Sequence, residues 1–146
     1  MLTKSYSYIF GFITVFAAMS GFTADGATLK EIMRGLQANT DHIVEGLLID
    51  DFDKVAGAAD RIADHPQIPP EQVKLVAAEL AAEMPTFKQF DTLVHDLSLA
   101  IAAAAREGDR DRAISNYHQM LDGCFACHAA YKNRVAAVLG GAVSGE

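Results

Sequence analysis

The chemistry of this sequence is concentrated in the run Cys124-Phe125-Ala126-Cys127-His128, which contains the only two cysteines in the chain. Two thiols three residues apart, followed at once by an imidazole, match the CxxCH pattern of covalent c-type haem attachment. The thiols add to the two vinyl groups of the haem, and the imidazole becomes an axial ligand of the iron. On a helix, Cys124 and His128 are four apart and share a face, with Cys127 beside them. One turn therefore holds the porphyrin edge and offers a nitrogen to the iron. Other chemistries fit this run less well. A thioredoxin-like CxxC opens a helix after a strand, and no strand pattern precedes Cys124. A structural zinc site takes four ligands from two such knuckles, and only one is present.

The N-terminus points the same way. Residues 1–24 read as a secretory signal, with Lys4 in the n-region and an apolar core over Ile9–Met19. Small residues follow, and cleavage after Ser20 or after Gly26 both satisfy the small-x-small rule. The apolar run is shorter than the ~20 residues a spanning helix needs, which favours a removed signal over a retained anchor. Export to the periplasm agrees with the motif, because c-type haem is attached outside the bacterial cytoplasm. Both thiols are then consumed as thioethers, so no disulfide is expected despite the oxidising compartment.

Removal of the signal leaves roughly 120 residues, the size of one domain. No other apolar stretch is long enough to span a bilayer, so no membrane span is expected in the mature form. The formal charge is −7, and loss of Lys4 by cleavage after Ser20 makes it −8. Such an acidic chain is a poor nucleic-acid binder. Its net charge suits a redox partner protein with a basic docking surface.

The elements that must position the motif are all helical. Gly and Pro fall at breaks, Ala is abundant, and no period-two apolar alternation is present. A first helix over about Thr28–Leu48 has the stripe Leu29, Ile32, Met33, Leu36, Ile43, Leu47. Asp50 and Asp51 end it and cap a second helix over about Phe52–Asp64. The segment His65–Pro70 breaks the chain. An Ala-rich stretch from Glu71 to about Met84 is a short helix or the end of a crossover. A third long helix covers about Thr86–Glu107, with Phe87, Phe90, Leu93, Val94, Leu97 and Ile101 inward. Gly108 stops it, and Asp109 opens a fourth over about Arg110–Leu139. Its inner face is Ile114, Tyr117, Leu121, Cys124, Cys127, His128, Tyr131 and Val135, and residues 140–146 form a tail. The expected fold is all-α: an antiparallel, up-down-up-down four-helix bundle over 27–139, with haem near the end of the fourth helix.

With its CxxCH near the C-terminus, followed by an aromatic and a base in Cys127-His128-Ala129-Ala130-Tyr131-Lys132, the chain resembles the class II c-type cytochromes, the cytochrome c prime family. The resemblance covers the whole mature chain. It implies one covalently attached haem c per chain, held by Cys124 and Cys127 with His128 on the iron. The low-spin branch of that family binds a methionine of the first helix as sixth ligand. The opening turns Leu29-Lys30-Glu31-Ile32-Met33-Arg34-Gly35-Leu36, and the stretch Phe90-Asp91-Thr92-Leu93-Val94, are also similar to a bundle b-type cytochrome with such a ligand. This likeness puts Met33 at the ligand position. Many class II relatives form homodimers through their first two helices, so a homodimer is a further expectation of the resemblance.

The residues themselves also favour Met33. In an up-down-up-down bundle the start of the first helix lies near the end of the fourth, across from His128. Met84 falls in a Pro-flanked loop, Met120 shares the helix of His128, and Met19 leaves with the signal. His42, His65, His95 and His118 read as surface or boundary residues. Lys30 and Arg34 flank Met33, as members of a solvated face or as partners of haem carboxylates. Iron saturated by His and Met has no place for a substrate. The resulting expectation is a one-electron carrier, not an enzyme, and no nucleophile–base pair or carboxylate dyad argues otherwise. The alternative is a five-coordinate cytochrome c prime that binds nitric oxide or carbon monoxide at an open site.

Overall fold

The computed structural model describes residues 27–140, so the expected signal and residues 141–146 lie outside the described residues. Five α-helices make up the described chain: α1 (Leu29–Leu48), α2 (Phe52–Ala63), α3 (Pro70–Leu80), α4 (Met84–Arg106) and α5 (Arg110–Gly140). A single 3₁₀ turn, Ala81–Glu83, joins α3 to α4. There is no strand among the described residues, and the fold is an all-helical bundle.

Each boundary has a local cause. Thr28 caps α1 in a capping box: its hydroxyl accepts from Glu31 N, and the Glu31 carboxylate accepts from Thr28 N at 2.9 Å. Asp51 caps α2 by accepting from Lys54 N at 3.0 Å. The helices at this corner come very close. A Cβ on Gly46 would stand 2.7 Å from Val55 Cγ2 and 2.9 Å from Asp51 O, so the corner needs glycine. Two starts differ from the sequence expectation. α3 begins at Pro70, one residue early, because proline suits the first helical position. α4 begins at Met84, not Thr86. Pro85 falls in its first turn, where a missing N–H costs no helical hydrogen bond. Gly108 (φ +68°) closes α4, and Asp109 accepts from Arg112 N at 3.1 Å to open α5.

In the bundle α1 packs on α2, α2 on α4, and α4 on α5, while α3 lies mainly against α5. Arg134 fastens α3 to α5 through Glu79 (3.0 Å) and Glu83 (2.8 Å). Arg110 ties the α4–α5 turn to the α1–α2 turn, donating to Asp50 Oδ1 at 2.5 Å and Leu47 O at 2.9 Å. The two turns therefore share one end of the bundle. α1 and α5 make almost no direct backbone contact. Near the turn end a hollow of about 220 Å³ lies between Val44, Leu47 and Leu48 on α1 and Arg110, Ile114, Tyr117 and His118 on α5.

Two apolar cores stabilise this arrangement. The larger joins Ile43, Leu47, Val55, Ile62, Ile101, Tyr117 and Met120 with the small alanine faces of α2 and α4. The smaller joins Leu29, Val76, Leu80, Tyr131 and Val135. Met120, absent from the expected inner face of α5, is fully buried. Its Sδ lies 3.2 Å from Ser98 Oγ, whose hydroxyl also donates to Val94 O at 2.7 Å. Leu93, expected inside, is 43 % exposed. The core side of α4 runs through Ser98, Ile101 and Ala105, so Ile101 is inside as expected while Leu93 lies at the edge against Gly123.

Candidate functional site

The CxxCH run lies in the second half of α5, a continuous helix of 31 residues. Both cysteines are free thiols and half-buried. Cys124 packs against the larger core and Cys127 against the smaller one, so the motif bridges the level between them. Burial pushes both thiols above the ordinary cysteine pKa. For Cys127 the charges of Cys124 and Asp91 add to that shift. Both therefore stay protonated at neutral pH, which makes the bare chain a slow nucleophile.

His128 is exposed on α5. Helical phase turns it toward the α1 side, because His128 follows Leu121 and Ile114 by whole pairs of turns and Ile114 borders the hollow. One turn on, Tyr131 is buried edge-on to Phe87 (5.5 Å between ring centres, 85°) and to Phe90 (6.2 Å, 66°). This aromatic cluster packs α4 against α5 one turn beyond the motif. On the other side of the motif Tyr117 is nearly buried. Burial raises its phenol pKa, with smaller contributions from Asp41 and Cys124.

Met33 sits on α1, 39 % exposed, more open than a stripe position predicts. It precedes Val44 by three turns on the same edge of α1, and Val44 lines the hollow. The hollow itself lies about three turns along α1 from Met33 and nearly as far along α5 from His128. The other methionines stand elsewhere: Met120 in the larger core and Met84 against the smaller one. Met19 lies outside the described residues.

The remaining histidines divide. His42 and His118 are exposed. His95 Nδ1 is 3.0 Å from Asp96 Oδ1 on the surface. His65, expected to be exposed in its loop, has a side chain only 21 % exposed and is held between two elements. Its Nδ1 donates to Pro66 O at 2.8 Å, and its Nε2 is 3.4 Å from Asp91 Oδ1 on α4. Sequence position gave no sign of this link, since the residues are far apart in the chain.

Among the described residues there is no cluster of three His, Cys, Asp or Glu side chains able to hold a bare metal ion. A porphyrin brings four nitrogens of its own and needs only axial donors. The donors available on the two helices suit that need: two half-buried thiols and an exposed imidazole on α5, and a part-exposed thioether on α1. No family model, curated protein or solved structure matches this chain.

Proposed function

We propose that this chain is an exported electron carrier of the class II c-type cytochrome kind, with one covalent haem c between α1 and α5. One observation supports it above the others. The CxxCH run of α5 carries half-buried thiols and an exposed imidazole, Met33 is part-exposed on α1, and these two long helices make almost no direct backbone contact. The four helices α1, α2, α4 and α5 then form an antiparallel up-down-up-down bundle, with the turn pair clasped by Arg110 at one end and the haem toward the other.

When bound, the haem would supply a ferric/ferrous couple. Cys124 and Cys127 would hold it to α5 as thioethers, and His128 and Met33 would be its iron ligands. Methionine in place of a second histidine raises the reduction potential, and the apolar walls act in the same direction. With both axial sites filled, the chain exchanges electrons without turning over a substrate.

A second reading follows from the exposure of Met33, which lies outside both apolar cores. If the thioether stays off the iron, the site is five-coordinate and admits nitric oxide or carbon monoxide. A spectrum of the ferrous protein, matured with a haem-attachment system in a periplasm, decides. Sharp low-spin α and β bands are expected, and Met33→Ala converts them to a broad high-spin spectrum that responds to carbon monoxide. A wild-type spectrum that is already high-spin gives the gas-binding reading. Absence of a haem peroxidase stain on a denaturing gel removes both.

A further inference from the structure

The chain between α2 and α4 is held differently from the rest of the bundle. Residues 64–83 form a strap of loop, helix α3 and 3₁₀ turn, lying over the end that carries Tyr131 and Val135. Of α3 only Val76 and Leu80 are buried. The rest of its hold is polar, with one pin on each of three long helices. His65 Nε2 lies 3.4 Å from Asp91 Oδ1 on α4. Gln72 Oε1 accepts from Leu29 N at 2.8 Å, and so satisfies a first-turn N–H that α1 leaves open. Arg134 on α5 donates to Glu79 Oε1 (3.0 Å), Glu79 O (3.2 Å) and Glu83 Oε1 (2.8 Å).

The Arg134 pin spans a strained residue. Ala81, between Glu79 and Glu83, has φ +45° and ψ −113°. A residue with a Cβ crowds its own backbone there, and the conformation persists only where the surroundings enforce it. Its N–H still donates to Ala77 O and closes the last turn of α3. One guanidinium thus ties together the two sides of the kink. A small buried area, strain gathered at one residue and pins made by partly exposed polar groups are the properties of a segment that opens before the whole fold does.

We propose that residues 64–83 are a hinged strap, which swings off the bundle as a unit about Ala81 and controls access to Cys127. Ile68, Val76 and Leu80 of the strap meet Leu29, Tyr131 and Val135, and Cys127 packs against the same cluster. Cys124 packs against the larger core, to which the strap contributes no residue. The two thiols are therefore covered by different parts of the fold, and an open strap uncovers Cys127 alone. The use of this gate rests on the haem reading, in which a bulky planar group must reach Cys127. The motion itself does not.

The test uses the haem-free full chain, so its outcome is separate from that of the peroxidase stain. Amide hydrogen exchange read by mass spectrometry is expected to show residues 71–83 exchanging as a group, ahead of α2, α4 and α5. Arg134→Gln should speed that group about 5-fold and leave the α4 amides unchanged. Ala81→Gly relieves the strain of the closed form and should slow the group about 3-fold. In a Cys124→Ser background, iodoacetamide labelling of Cys127 at fixed pH should follow the same order, fastest with Arg134→Gln and slowest with Ala81→Gly. The sulfur displaces iodide and its proton passes to the buffer, so the mass gain reports the labelled thiol. In a Cys127→Ser background, labelling of Cys124 should be the same in every variant. Residues 71–83 exchanging no earlier than α4 would overturn the proposal. So would equal acceleration of both thiols by Arg134→Gln, which is loosening of the whole fold, or a Cys127 rate indifferent to both substitutions. A chain that meets these expectations but lacks the stain keeps the strap and loses only the haem reading.

Discussion

At the residue scale, the two thiols are the most informative groups. Their burial has a consequence in the chain without haem. A thiol whose pKa is raised on folding keeps its proton longer in the folded state than in the unfolded one. Above the unfolded thiol's pKa, near 8.5, the unfolded chain binds fewer protons, so stability falls as pH rises. Below that pH the contribution is fully present. Urea unfolding of the haem-free chain is expected to show a midpoint that drops between pH 8 and pH 10, and a Cys124→Ser, Cys127→Ser variant should lack this drop. Alkylation by iodoacetamide at pH 8 should be slow in the folded chain and fast in urea. Equal rates in the two states would contradict the burial of both sulfurs.

At the element scale, the contact between α4 and α5 has its centre at Met120 and Ser98. Truncating a fully buried methionine leaves a cavity and costs about 2–5 kcal/mol, so Met120→Ala should lower the urea midpoint strongly. The low-spin spectrum should survive, since Met120 faces the core. Loss of the α and β bands in this variant, with the fold intact, would instead make Met120 the iron ligand. Much at this scale was legible in the sequence. Asp51, Asp109, Gly108 and the proline break mark the helix ends because caps and φ restrictions act within a few residues. The unexpected features, the inward Met120 and the outward Leu93, share a cause. α4 offers its small alanine side to the core, and that rotation depends on what packs against it, not on its own stripe.

At the scale of the whole molecule, the sparse contact between α1 and α5 means that the proposed haem would be a structural partner as well as a cofactor. A group that binds only the folded chain stabilises it by mass action, and a tethered one acts at high local concentration. The holoprotein is therefore expected to melt well above the Cys124→Ser, Cys127→Ser variant, which lacks attached haem but keeps the helices. Circular dichroism at 222 nm during a thermal ramp measures this. Coincident melts would mean that no cofactor bridges α1 and α5.

What the sequence determined by itself is the set of features governed by near neighbours. The spacing of Cys124, Cys127 and His128, the helix boundaries and most of the buried stripe follow from turn periodicity and capping. Only the tertiary structure decided the relations between helices: the sparse contact between α1 and α5 and the hollow at its turn end, the half-open position of Met33, and the link from His65 to Asp91. The reason is physical. A helix fixes which of its residues share a face, but its rotation about its own axis is set by packing against its neighbours, and those neighbours lie far away in the chain.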